Sequence, residues 1–437
     1  MTDHSTQVVL FDDGLSRFGP LSDLRASFEQ RLGAMTGLER ARVVLGRVDA
    51  IYPLDHLQAL CTERHGPSGL AVSQLPAGSG DVILINGTLE SLEDVATLGA
   101  NAVRTTPDGR LALARLARPD AQRVLERISN WERVLTTVQR APLSHGHLVA
   151  APWDLLNRLE RSLPADIALL SRSGEWGDRN TPGVHRFGHH GVFVDPTAKV
   201  LPGAVIDTTD GPVLLAAGAV IRPGAVVAGP AAVLDHATIV DRAQVKARSV
   251  IGPWCKVGGE VGSVVLQAYS NKAHEGHLAD AMIGEWVNIG AGTCNSNLLN
   301  TYSEVSTRLD AAGNTERTGR AFYGGVIADH AKIAILVALN TGSTVGTGAM
   351  IAVGHPPTFV PRFAWMTPER TQPHRFGRFE ETLRASMQRR GLAPGLAYLH
   401  DCGICTLRTL RPRRAPDRAI VAEIGTRTDE SHLATGD

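Results

Sequence analysis

The chain has 437 residues with 44 basic and 44 acidic side chains, so its formal charge is zero and no global field draws it to nucleic acid or to a membrane surface. No apolar run reaches membrane-spanning length, five cysteines make no disulfide framework, and the opening MTDHSTQVVLFDD lacks the basic-then-apolar pattern of a signal peptide. These features fit a cytoplasmic protein of two or three domains with no nucleic-acid or membrane partner.

Residues 1–180 read as an α/β domain. Strand-like runs at 8–11, 42–45 and 82–86 alternate with helix-like runs at 21–32, 56–64 and 121–138. Residues 171–190, rich in Gly, Arg and His, read as a linker.

A different period then takes over. Leu215, Ile221, Val227, Val233, Ile239, Val245, Ile251 and Val257 stand six apart. Four places after each comes a small or short residue: Ala219, Ala225, Ala231, Ala237, Ala243, Ser249, Cys255 and Val261. A period of six fits neither a helix nor an alternating strand, but it fits an all-β left-handed parallel β-helix built from hexapeptide repeats, one short strand and turn per hexad. Upstream, Val194, Val200 and Ile206 extend the ladder before residues 207–214 interrupt it. Downstream, Ile283, Ile289, Ile327, Ile333, Leu339, Val345 and Ile351 resume it. The coil is expected over 190–355, with excursions at about 266–282 and 294–326. Insertions in a solenoid map to loops, often on a binding face.

After the coil, residues 356–361 break the pattern and 378–390 have the spacing of a short amphipathic helix, giving a C-terminal cap over 356–409. Cys402 and Cys405 form a CxxC with no second pair or histidine cluster near it in sequence, so no metal site is assigned there. Residues 410–437 are charged, poor in aromatics and read as a disordered tail.

Four motifs carry a resemblance: SNKAHEG (270–276), GEWVNIGAGTCNS (284–296), NTYSEV (300–305) and PPTFVPRFAW (356–365), with a fainter echo in LFDD (10–13) and PLSDLR (20–25). With these the chain resembles GlmU-type proteins, bifunctional N-acetylglucosamine-1-phosphate uridyltransferases and glucosamine-1-phosphate acetyltransferases. It is most similar to an alternative branch of sugar nucleotidyltransferase-like proteins. The resemblance implies coenzyme A-dependent N-acyl transfer, with acetyl-CoA as co-substrate, to an amino sugar or sugar phosphate, in a homotrimer.

Amine acylation by a thioester needs a neutral amine in line with the carbonyl, a proton acceptor and donors for the developing oxyanion. His274, ten residues before Gly284, stands where the family places its base, although on position alone it could be one exposed loop histidine among 16. Asn288 matches a family asparagine that contacts the sugar, and Asn297 roughly matches one near the acyl donor. Either could instead be a ladder asparagine satisfying coil backbone. Lys272 is a phosphate contact or a solvated loop lysine. His277 stands where the family has a tyrosine on the acceptor side, and Glu260 lies where a lysine is expected, departures that weigh against glucosamine 1-phosphate itself.

Nucleotidyl transfer needs a glycine-rich phosphate loop and acidic ligands for Mg²⁺. The resemblance predicts GxGTRM after the first strand; Asp12, Asp13, Gly14, Leu15, Ser16 and Arg17 follow it instead. Thr88 stands where a metal-binding aspartate is expected. The N-terminal domain is therefore expected to be a degenerate nucleotidyltransferase fold, with Mg²⁺ required only if it is active. The competing reading of the whole chain is a non-catalytic β-helix scaffold or sugar-nucleotide sensor.

Overall fold

In the computed structural model, residues 6–172 and 181–410 are described. The N-terminal sheet has strands β1 (Gln7–Phe11), β2 (Ala50–Tyr52), β3 (Ala71–Val72), β4 (Val82–Asn86), β5 (Ala102–Thr105), β6 (Leu111–Leu116) and β7 (Gln139–Pro142), in the order β3-β2-β1-β4-β6-β5-β7. The first four are parallel to one another, and β6 runs antiparallel to both its neighbours. Strands β1 and β4 are buried throughout, as their continuous apolar sequences require of strands covered on both faces. Val8, Leu10, Ile83 and Ile85 face one core and Val9, Phe11, Val82 and Leu84 the other.

Three local expectations fail here for identifiable reasons. Residues 42–45, expected as strand, end helix α1 (Gly37–Leu45). A capping box between Thr36 and Glu39 starts that helix and a left-handed Gly46 stops it, overriding a short β-branched run. Residues 21–32, expected as helix, form only 3₁₀ turns at Gly19–Ser22 and Ser27–Glu29. There the backbone N–H groups of Ser27 and Ala26 donate to the carboxylates of Asp12 and Glu29 instead of to helix carbonyls. The helix expected over 121–138 is broken into α3 (Arg118–Glu126) and α4 (Trp131–Val134), whereas that at 56–64 is α2 (Gln58–His65). A 21-residue helix α5 (Pro152–Arg172) ends the domain; it was not anticipated.

The coil begins at the strand His185–Gly188, inside the stretch expected as linker, of which 173–180 lie outside the described residues. It is a left-handed parallel β-helix with three faces. Val220, Thr238 and Lys256 pair in parallel at eighteen-residue steps, and Ile221, Ile239 and Val257 beside them point inward. Full burial of each inward Val or Ile contributes roughly 2 kcal/mol. The corners are made by left-handed residues six apart, including Gly218, Gly224, His236, Arg242, Arg248 and Trp254. The interruption at 207–214 appears as a step of twenty-one residues, Val205 pairing with Val226.

The first expected excursion does not exist. After Val257 the coil tightens: Val245 pairs with Val261, Val250 with Val265 and Lys256 with Asn271, steps of fifteen or sixteen residues. Gly258–Gly259 makes a corner too short for side chains, since a Cβ on Gly258 would stand 2.5 Å from the Ala273 carbonyl oxygen. Residues 266–282 therefore run within the coil. The second excursion is real. It leaves after Cys294–Asn295, forms a small antiparallel pair between Ser306–Thr307 and Glu316–Arg317, and rejoins at Gly325–Ile327. The ladder also outlasts residue 355, with further rungs at Phe359–Val360 and Ala364–Met366.

One face of the coil is covered. Its outward residues Leu214, Ala232, Val250, Val265, Met282 and Val326 pack with Leu156, Leu159 and Leu163 of α5 and with Phe18 and Leu21. Helices α6 (Phe376–Gln388), close to the expected amphipathic helix, and α7 (Leu396–Leu410) close the gap to the N-terminal domain. Cys402 and Cys405 lie on α7 in this apolar core, where burial pushes the Cys402 thiol up. The expected disordered tail falls, from residue 411 on, outside the described residues.

Candidate functional site

His274 stands on the coil corner between the strands Asn271–Lys272 and His277–Ile283. It is on a corner of the coil and not on a departing loop. Its imidazole is exposed and has no polar partner among the described residues. The turn beneath it is rigid, because the Lys272 ammonium donates to the carbonyls of His274 and Gly258.

That contact corrects the reading of Lys272. The side chain is 1% exposed, and burial pushes its ammonium down to about 8. Facing inward onto two carbonyls, it anchors the corner and does not face a ligand at the surface. Lys332, two rungs on, is used alike: its ammonium donates to the Trp286 carbonyl, and burial pushes it down to about 8.

His277 opens the next strand and is half-buried. Its Nδ1 lies 3.4 Å from Glu260 on the preceding rung, and Glu260 also accepts from Lys246. The Lys246 ammonium, against the effect of burial and with a smaller contribution from His277, holds the Glu260 carboxyl below its ordinary range. On the following rung Cys294 is exposed, and its Sγ accepts the His277 backbone N–H at 3.2 Å. Glu260, His277 and Cys294 thus form one outward column. Cys294 escaped sequence reasoning; the available signal was the seventeen-residue spacing of these three residues, hidden by the assumption of a constant eighteen.

Asn288 is exposed on the neighbouring face, where it pairs across the sheet with Asn271. Arg390 reaches the Asn271 Oδ1 from the end of α6 at 3.2 Å. Asn297 does not join the group. Its Nδ2 donates to Asp280 at 2.8 Å and its carbonyl accepts from Tyr323, so it fastens the start of the excursion. The ladder asparagine of this coil is Asn295, 5% exposed, whose amide both donates to and accepts from the Ala279 backbone.

The coil on either side of His274 is packed too closely for side chains. Gly259 (φ +68°) precedes it by one rung, and an added Cβ there would stand 3.0 Å from the His274 carbonyl oxygen. Gly292 (φ +72°) follows it, where a Cβ would meet Leu336 at 2.5 Å. On the next rung Ile335 and Leu336 are 64% and 71% exposed. An imidazole, a half-buried imidazole–carboxylate pair, an exposed amide and two apolar side chains therefore share a corner floored by backbone. Such a set can accept a proton, orient a polar acceptor and receive an apolar chain.

The N-terminal domain has a candidate pocket at the C-terminal ends of β1 and β4, where ligands bind in open α/β sheets. Here it is filled from within. Asp13 pairs with Arg110 at 3.0 Å and accepts from the Asn86 amide at 2.9 Å, while Asp12 accepts from the backbone of Gly14 and Ser27. With a guanidinium and amide donors on both carboxylates, these residues do not fit Mg²⁺, which needs free oxygen ligands. Among the described residues no group of three His, Cys, Asp or Glu side chains could hold a metal ion.

Comparison with known proteins gives matches to parts of the chain. Residues 8–174 match the family described as sugar nucleotidyl transferase. The bifunctional protein GlmU of Rippkaea orientalis is 35% identical over 77 residues, 17% of this chain and 16% of that protein. GlmU of Xanthomonas campestris pv. campestris is 31% identical over 98 residues, 22% of this chain and 19% of its own. The chain thus spans less than a fifth of the length of these curated relatives, and by these matches it is similar to GlmU-type proteins. Among solved structures, the UDP-N-acetylglucosamine acyltransferase of Francisella novicida aligns at TM-score 0.29 and 14% identity, over 57% of this chain and 86% of that one. The acetyltransferase domain of PglB from Neisseria gonorrhoeae in complex with acetyl coenzyme A aligns at TM-score 0.16 and 16% identity, over 74% and 97%.

Proposed function

We propose that the chain is a coenzyme A-dependent N-acyltransferase that moves an acetyl group to the amine of an amino sugar or sugar phosphate, with His274 as the base. The observation that carries this reading is the exposed imidazole, without a polar partner among the described residues, on a corner fixed by Lys272. A thioester is already activated, so the protein has to hold the amine in line and take its proton. A neutral imidazole can take that proton. Asn288, exposed one rung away, is the proposed contact for the acceptor.

The exposed Ile335 and Leu336 support a homotrimer, in which a second copy covers this corner and the acyl donor lies between neighbouring coils. The N-terminal domain serves binding or assembly, since its own ion pairs fill the place of nucleotide and metal. Two measurements test the reading. Coenzyme A at 100 times its dissociation constant should raise stability by ~2.7 kcal/mol in a thermal-shift titration. Released thiol, followed against a panel of amino sugars, should appear with at least one acceptor. No shift and no thiol would leave a scaffold or sensor as the better account.

A further inference from the structure

Beside His274 the corner carries a second imidazole, and this one has a carboxylate. Nδ1 of His277 faces Glu260 at 3.4 Å, with both side chains 37% exposed. The Glu260 carboxylate is itself fixed by Lys246. The backbone of His277 is fixed as well, by its N–H bond to Cys294 and by strand pairing with Glu260. A ring whose Nδ1 is turned to a carboxylate favours the tautomer with its proton there, which leaves Nε2 to exchange protons with a ligand. The charged and titratable groups around it are Glu260 from the preceding rung, Lys246 from the rung before that, Cys294 from the following one, and Lys272, His274 and Glu275 on its own turn.

We infer that His277 and Glu260 form a second acid–base unit of the proposed acyl transfer, in which His277 protonates the departing sulfur and Glu260 is its positioning residue. The inference rests on the proposed reading of the corner. Acyl transfer moves two protons: one leaves the nitrogen that attacks, and one joins the sulfur that departs. As the amine forms its bond to the thioester carbonyl carbon, the nitrogen proton passes to His274. As the carbon–sulfur bond breaks, its electron pair goes to sulfur, which takes the Nε2 proton of His277 in its imidazolium form and leaves that ring neutral with its Nδ1–H toward Glu260. Amide and free thiol result, and solvent returns both imidazoles to their starting states. The division of labour follows from the side chains: His274 has no polar partner among the described residues and can turn to the amine, whereas His277 faces Glu260.

Leaving-group dependence separates this role from a structural one. The full-length protein and its His277→Gln, Glu260→Gln and His274→Ala variants would be assayed for amide formation with two donors, acetyl-pantetheine and the acetyl thioester of thiophenol. An alkyl thiolate needs a proton to leave well, whereas an aryl thiolate does not. His277→Gln is expected to slow the alkyl donor by about 100-fold, the ordinary worth of a general acid, while leaving the aryl donor nearly unchanged. Glu260→Gln should shift the ratio in the same direction by less, and His274→Ala should slow both donors alike. Equal losses on the two donors, or none, for both His277→Gln and Glu260→Gln would overturn the inference while leaving the acyl transfer standing. A wild-type protein inactive with every amino sugar and both donors would overturn the reading of the corner and this inference with it.

Discussion

Arg25 of the N-terminal domain ends in an ion pair with Asp329 of the coil at 3.1 Å, with both side chains 1% exposed. Glu285 lies on the other side of the guanidinium at 3.2 Å, and its backbone N–H donates to Asp329 at 2.7 Å. Burial and the Glu285 charge push the Asp329 carboxyl up to about 6 despite Arg25, while Arg25 itself, buried between two carboxylates, is raised. Removing one partner of a buried pair leaves an uncompensated charge and costs about 3–5 kcal/mol, whereas replacing both by apolar groups costs far less. Arg25→Ala should therefore destabilise the protein by about 3 kcal/mol in urea denaturation, and the double variant Arg25→Met with Asp329→Leu by less. If the double variant proved the weaker, the pair contributes more than it costs to bury.

Acid stability should depend on Glu29. Burial alone would raise its carboxyl, but Arg64 at 3.2 Å and His65 at 2.9 Å hold it down to about 2. A folded value below the unfolded one means that the stabilisation is complete above pH ~4.5 and is lost as pH falls toward 2. Glu29→Gln should be less stable than wild type by about 3 kcal/mol at pH 7, with the gap closing between pH 4.5 and 2. Denaturation midpoints measured across that window check it, and a gap independent of pH would show that the carboxylate is not held in this way.

Most of the coil was legible because its core imposes a period of six on residues that cannot be polar, from Leu215 to Val257 and again from Ile327 to Ile351. Legibility failed where the corner Gly258–Gly259 shortened the turn and shifted Val261, Val264 and Leu266 out of phase, so that buried rungs looked like an excursion. The same shift hid the alignment of Glu260, His277 and Cys294. At the site, sequence singled out His274 and Asn288, and both are exposed, His274 on a coil corner and Asn288 on the adjoining face. It could not show that Lys272 turns inward or that Asn297 is tied to Asp280, because those outcomes depend on which carbonyl or carboxylate the folded coil brings near.

The N-terminal domain should show little nucleotidyl transfer. Phosphoryl chemistry depends on metal neutralising the developing charge, and here Arg110 and Asn86 occupy the Asp13 carboxylate. An assay with UTP or dTTP, a sugar 1-phosphate and Mg²⁺ should release no pyrophosphate at enzymatic rates. Release at such rates would show that the Asp13–Arg110 pair opens, and Arg110→Ala would then be expected to change the rate.

His274→Ala should abolish acyl transfer while leaving the coil folded and coenzyme A binding largely intact. The ring makes no polar contact among the described residues and lies outside the core, so its loss removes no inward rung. Its carbonyl, which Lys272 grips, is kept by any residue. A general base is commonly worth ~10² to 10⁴ in rate, so the loss should appear in kcat with the thermal midpoint little changed. Asn288→Ala, exposed on the adjoining face, should instead raise KM for the acceptor. The control is His277→Ala, which should reduce turnover less than His274→Ala, because a thiolate can still depart slowly unprotonated but an ammonium cannot attack. A dead His277→Ala beside an active His274→Ala would transfer the role of base to the carboxylate-held ring, and full activity in both with every amino sugar would remove imidazole from the mechanism.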